Sequence, residues 1–217
     1  MSKKEIALVF TGDTFADGGD FIANTLDTAH IKASFFLTGN FYRNAAFEPL
    51  IRKLKQGSHY LGAHSDKHLL YCDWTNRDST LITRQKFERD LSANYDVMQR
   101  FGIAEDQAHF FMPPYEWYND EIAAWTKAMG FQLINFSPGT LSNADYTTPD
   151  MKNYRSSEMI FQSIKRTSDN LNGFILLLHI GTDPGRKDKF YWKLPELLDY
   201  LKSLNYEFVT VENLLSE

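Results

Sequence analysis

A chain of 217 residues is long enough for one α/β domain with a substantial core, and 43% hydrophobic against 24% charged residues argues against wholesale disorder. The formal net charge of −5, with Lys and Arg dispersed, disfavours nucleic acid as a partner, because that role needs a basic footprint. A single cysteine, Cys72, excludes an internal disulfide. No window is apolar for long enough to span a membrane, and the run after Glu5 is too short for a signal core. Location stays open: secreted or periplasmic if a leader was removed, otherwise cytoplasmic.

Short apolar runs alternate with longer helical patterns along the whole chain. Strands are expected at Ile6 to Phe10, Ile31 to Leu37, His59 to Ala63, His109 to Met112, Phe131 to Asn135, Phe174 to Leu178 and Phe208 to Val211. Helices are expected at Phe21 to Ala29, Phe47 to Gln56 (closed by Gly57), Thr83 to Phe101, Asn119 to Met129, Ser156 to Leu171 and Leu194 to Leu204. Repeated alternation of this kind predicts a parallel sheet. About seven units suggest a closed or nearly closed barrel, with an open doubly wound sheet as the alternative. No repeat or linker divides the chain, so residues 1–217 read as a single domain.

Reactive groups in parallel α/β folds collect at the C-terminal ends of strands. Just past the first strand stand Asp13 and Asp17, and past the third His64 and His68. The fourth runs into Tyr115-Glu116-Trp117, the loop after the fifth holds Asp145-Tyr146, and the sixth delivers His179. His64 and His68 are four residues apart; on a helical turn both imidazoles would share one face and could share a metal ion. Imidazole titrates near neutrality, so His179 reads as a general acid able to protonate a leaving amine. His30, His59 and His109 have no such company and read as structural or surface residues. Most aromatics belong in the core, whereas Trp74, Trp117, Tyr118, Tyr146 and Trp192 fall near element ends, where stacking on sugar faces competes with packing.

These same residues carry a resemblance to the NodB-homology polysaccharide deacetylases, a group of carbohydrate esterases. It runs from Ile6-Ala7-Leu8 to Tyr206-Glu207-Phe208-Val209-Thr210-Val211. Ile31-Lys32-Ala33-Ser34-Phe35-Phe36-Leu37-Thr38-Gly39 resembles the family's second strand, and His64-Ser65-Asp66-Lys67-His68 is similar to its H-[ST]-x-x-H metal motif. Leu177-Leu178-His179 looks like the motif of the catalytic histidine. The resemblance implies a distorted (β/α) barrel of about seven parallel strands. It also implies a divalent metal, usually zinc, held by two histidines and an aspartate, and acetylated oligo- or polysaccharide substrates such as chitin or peptidoglycan.

Two departures stand out. The family's first motif reads T-F-D-D-G, base then ligand; here Thr11-Gly12-Asp13-Thr14 is followed by a second partial match, Thr14-Phe15-Ala16-Asp17-Gly18. One alignment makes Asp13 the base with Thr14 in the ligand's place, and the other makes Asp17 the ligand with Ala16 in the base's place. Strand proximity makes Asp13 the expected ligand beside His64 and His68, and Asp17 the candidate base. Met112 stands where the family has an arginine that orients the base, and Glu116 is an alternative stand-in for that base. Asp145, in the place of the family's Asp-Trp pair, would hold His179. Tyr115, Trp117 and Tyr146 are the expected substrate contacts, with the Tyr115 N–H near the oxyanion. Two rival readings remain: a sugar-binding protein of the same fold without catalysis, favoured by Met112 and the altered first motif, and an amidohydrolase acting on a small cyclic amide.

Overall fold

The computed structural model describes residues 4–216. Seven strands form one sheet: β1 (Lys4–Gly12), β2 (Ser34–Leu37), β3 (Tyr60–Ala63), β4 (Phe110–Phe111), β5 (Gln132–Leu133), β6 (Phe174–His179) and β7 (Tyr206–Val209). The order is β5-β4-β3-β2-β1-β6, with β7 also on β1, and every pairing is parallel. Strand β1 is the longest and serves three partners. Its register sets Thr11 opposite His179 and Gly12 opposite Leu37.

A parallel strand covered on both faces must be apolar throughout, and alternation then sorts its side chains between two cores. Ile6, Leu8 and Phe10 of β1, with Leu176 and Leu178 of β6, face the surrounding helices. Ala7, Val9, Ile175 and Leu177 face inward, where they meet Phe36, Tyr60, Phe110, Met112 and Ile134. An inner core of this kind requires a curled sheet. Strands β5 and β6 do not pair directly; beyond β5, Ser137 bridges to β6 through two 3.0 Å hydrogen bonds, its N–H donating to the Ile175 carbonyl and its hydroxyl accepting from the Ile175 N–H. The result is the distorted (β/α) barrel expected from the sequence.

Helices α1 (Gly19–Thr28), α2 (Gly39–Arg43), α3 (Glu48–Gln56), α4 (Arg84–Gln99), α5 (Asp120–Ala128), α6 (Ser157–Thr167), α7 (Leu194–Ser203) and α8 (Val211–Leu215) pack outside the curl or close its ends. Thr83, Asn119 and Ser156 cap α4, α5 and α6 with side-chain oxygens, which locates their starts within a residue of the sequence expectation. Two short helices, α2 and α8, carry too few residues to show a period. Thr210 caps α8, so Val211, expected to end the last strand, opens a helix instead, and β7 begins two residues early. Strands β4 and β5 are also shorter than their apolar runs.

Phe35 is wholly buried and stacks on Phe10 at 5.1 Å between β2 and β1. Phe35→Ala should cost about 3–5 kcal/mol by guanidinium unfolding, the transfer and cavity cost of a fully buried ring. A loss under about 1.5 kcal/mol would mean that this interface is not closely packed.

Candidate active site

Two inward rows of the barrel end in polar residues at the C-terminal mouth, and a third ends in a methionine. Ala7 and Val9 lead to Thr11, Ile175 and Leu177 lead to His179, and Phe110 leads to Met112. Gly12, one position further on β1, points the other way: a Cβ there would strike Ile180, Leu37 and Phe41. Thr11 and His179 therefore stand side by side at the C-terminal ends of β1 and β6. Thr11 Oγ1 is buried there with no hydrogen-bond partner.

His64 and His68 come together, their ring centroids 5.1 Å apart. A helical turn is not what joins them. Ser65 (φ 70°) and His68 (φ 53°) both take left-handed backbone, and the Ser65 hydroxyl accepts from the His68 N–H at 2.9 Å. The loop is anchored from below by α4, where Asp90 accepts from the N–H groups of Asp66 and Lys67 and from the Tyr71 hydroxyl. Asn94, one turn on, accepts from the His64 N–H at 3.0 Å. Asp66 itself pairs with Arg43 at 2.6 Å. Sequence reasoning missed Asp90 and Asn94. Their signal was spacing: both fall at helical intervals beside Phe87, Leu91, Tyr95 and Met98, so two polar residues lie on a buried face.

His64 Nδ1 lies 2.8 Å from the Met112 carbonyl, which can only accept. That contact assigns the proton to Nδ1 and leaves the Nε2 lone pair for a ligand. Burial, reinforced by His68, holds His64 well below the ordinary histidine range. His68 is lowered too, by burial and by His179, against the opposing charge of Asp13. Both imidazoles thus favour the neutral, metal-ligating form.

Asp13 stands just past β1, where its charge reaches His68 and Tyr115. Thr38 donates to it at 2.8 Å, Asn40 at 3.2 Å and Thr14 at 2.9 Å. Two neutral imidazoles and a carboxylate suit a divalent ion of intermediate softness. Among the described residues no three His, Cys, Asp or Glu side chains form a ready-made metal cluster.

Asp17 is placed elsewhere. The Thr182 N–H holds one oxygen at 2.7 Å, while Lys189 at 2.9 Å and the Tyr191 hydroxyl at 3.1 Å hold the other. Burial raises its pKa, but Lys189, Thr182 and Tyr191 together bring it below the ordinary value. None of these partners belongs to the histidine group. Gly181 fixes the turn that carries Asp17, since a Cβ there would strike the backbone of Phe15 and Ala16.

Across the mouth, Asp145 Oδ1 lies 2.6 Å from His179 Nδ1, and its other oxygen accepts from the His179 N–H at 2.9 Å. Burial lowers the His179 pKa, but the charge and hydrogen bond of Asp145, with help from Glu116, outweigh it and raise the net value. Asp145 arrives on the long loop after β5. That loop is pinned by the fully buried Arg186, which donates to the carbonyls of Thr147, Arg155 and Asp188.

Aromatic rings flank the cleft. Tyr146, 41% exposed, packs on the His179 ring at 5.0 Å, and Tyr115, 44% exposed, packs on His68 at 4.4 Å. Trp117 is half-buried, its indole N–H donating to the Asp73 carbonyl and its face under Arg77. The exposed ring beside it is Trp74, set against both Tyr115 and Trp117.

The C-terminal mouth of this parallel (β/α) barrel thus carries His64, His68 and Asp13 on one side and the His179–Asp145 pair on the other. Residues 1–134 match the polysaccharide deacetylase family, and the chain belongs to it. A peptidoglycan-N-acetylglucosamine deacetylase of Bacillus cereus is 26% identical over 207 residues, 93% of this chain and 86% of that protein. The fold is also that of the Xyl-CE4 domain of a multidomain xylanase from the hindgut metagenome of Trinervitermes trinervoides (TM-score 0.75, 23% identity, 98% of this chain and 90% of that one). It is equally that of BA3943, a CE4 family pseudoenzyme from Bacillus anthracis (TM-score 0.74, 18% identity, 100% of this chain and 66% of that one).

The electrostatics of the pair can be tested directly. Asp145→Asn removes the first-ranked influence holding the His179 pKa up, so its midpoint, followed by imidazole NMR, should fall from above 6.5 in the unaltered protein. Equal midpoints in both proteins would refute the pairing.

Proposed function

We propose that the chain is a metal-dependent hydrolase that removes acetyl groups from N-acetylated sugars of a polysaccharide or oligosaccharide, chitin- or peptidoglycan-like. The observation that carries this is the arrangement of the three histidines: His64, its Nδ1 on the Met112 carbonyl, stands 5.1 Å from His68, while Asp145 holds His179 through Nδ1. Asp13, His64 and His68 would hold the ion, zinc being the divalent metal best suited to such donors. When bound, it would polarise the acetyl carbonyl and acidify a water.

The chain's own groups supply the rest. The Met112 carbonyl holds His64 in the ligating tautomer. Asp145 keeps His179 oriented by its Nδ1, leaving Nε2 to protonate the departing sugar nitrogen. The N–H of Tyr115 is the assigned oxyanion donor. Tyr115 and Tyr146 flank the sugar, and Trp117 backs Trp74 on the same rim. Asp17 has no part in this assignment, because Lys189, Thr182 and Tyr191 occupy its oxygens.

A second reading has specific support. Thr11 and Met112 put a neutral floor under the site, and a protein of the same fold is a described pseudoenzyme, so sugar binding without catalysis is the competitor. With zinc supplied, N-acetylglucosamine oligomers should release acetate, and His179→Ala should lower kcat by about 10²–10⁴-fold. Calorimetry on chelator-stripped protein should find one zinc site, lost in His64→Ala and Asp13→Ala. Oligomer binding without acetate release would establish the competitor.

A further inference from the structure

The deacetylase assignment lacks one part: a group to take the proton of the attacking water. Strand β1 does not present one on the floor, because its inward residue beside His179 is Thr11. Asp13 is assigned to the ion and Asp17 is tied to Lys189. Asp145 is committed through both oxygens to His179. One acid near His179 has no assignment, and it is Glu116.

The backbone at Glu116 is unusual. Tyr115 (φ 60°) and Glu116 (φ 53°) are consecutive non-glycine residues in the left-handed region, which side chains rarely adopt and which persists only where surroundings enforce it. Here the Glu116 N–H donates to the Pro113 carbonyl at 3.0 Å, and the Glu116 carbonyl accepts from the Asn135 amide at 2.9 Å. Glycine would suit this position without strain. The chain instead holds a glutamate whose carboxylate has no hydrogen-bond donor among the described residues. Its neighbour Tyr115 packs on the His68 ring at 4.4 Å and the Asn135 amide fixes the Glu116 carbonyl, so the loop holds Glu116 beside the histidine group, where the charges of His179 and Asp145 act on it.

We infer that Glu116, rather than an aspartate of the first strand, is the general base of this deacetylase. The inference rests on the proposed activity. In the step, a water O–H bond breaks and its proton passes to the Glu116 carboxylate. The water oxygen bonds to the acetyl carbon, whose π electrons move to the carbonyl oxygen. Collapse expels the sugar nitrogen, which takes a proton from His179, giving acetate and the free amine. The water's second proton leaves as the acetic acid ionises, Glu116 passes its own proton to His179 directly or through solvent, and the cycle closes.

The electrostatics agree with the geometry. Burial lifts Glu116, against the lowering influence of His179 and with a smaller raising influence from Asp145, to about 7. A base poised there is partly ionised at neutral pH and basic enough to be effective. The facing titratable groups are His179 and Asp145, and Arg186 also acts on His179.

The test uses zinc-loaded full chain with N-acetylglucosamine oligomers, comparing the unaltered protein with Glu116→Gln and Glu116→Gly. Both variants should lose about 10²–10⁴-fold in kcat with KM little changed, and added formate should restore part of the activity of Glu116→Gly. The acidic limb of the kcat profile near pH 7 should vanish, and ¹³C NMR of labelled glutamates should lose its one high-pKa carboxyl. Zinc affinity should be unchanged and Glu116→Gly should be at least as thermally stable as the unaltered protein, which separates lost chemistry from lost structure. Variants within about threefold of the unaltered rate and with the acidic limb intact would overturn the assignment to Glu116 alone. An unaltered protein that releases no acetate would overturn the deacetylase reading itself.

Discussion

The placement of β1 against its neighbours is the constraint on which the site depends. Nine residues long, it pairs β6 along one edge and β7 and β2 in succession along the other. Because side chains alternate, a slip of one residue would exchange the inner and outer cores and send Thr11 and His179 to opposite faces. Such a slip would bury Thr11 among the helices and expose Phe10 to the cleft, so the hydrophobic sorting of Ile6, Leu8 and Phe10 fixes the chemistry at the strand end. Packing and catalysis here share one register.

Above that floor the reactive residues sit on loops, and buried polar anchors make those loops rigid. Asp90 and Asn94 hold the histidine loop from α4, while Arg186 holds the loop that brings Asp145. A buried arginine is costly unless its donors are satisfied. Arg186 meets that condition through backbone carbonyls, so it fixes the paths of three segments at once. Left-handed residues at Ser65, His68, Tyr115 and Glu116 cluster around the same cleft. Such backbone persists only where the surroundings enforce it, as these anchored loops do.

Much of this was legible in the sequence. Alternating apolar runs gave the parallel barrel, and polar residues just past each run gave His64, His68, Asp145 and His179 as site candidates. What escaped follows from the limits of periodicity. Helices α2 and α8 span five residues each, too few to show a face, and β4 and β5 keep only two paired residues from longer apolar runs. The H-x-x-x-H spacing correctly suggested proximity but for the wrong reason, since positive φ angles rather than a helix close the loop. The two aspartates of the first loop looked alike in sequence. Their difference comes from partners far away in the chain, Thr38 and Asn40 for Asp13, Lys189 and Tyr191 for Asp17.

The charge pattern of the cleft ties these pieces together. Met112 contributes an apolar side chain to the inner core and only its carbonyl to the site. With no cation at that position, a carboxylate on β1 beside His179 would be buried without a partner, at high cost; Thr11 avoids it. The negative charge that catalysis needs has to enter from a position facing a group that can be positive. Glu116 faces His179 in that way, and Asp13 faces His68. Burial meanwhile keeps His64 and His68 neutral, so an incoming cation displaces few protons and meets little repulsion. The base proposed at Glu116 thus goes together with an uncharged Thr11 beside His179 and an uncharged Met112 in the inner core.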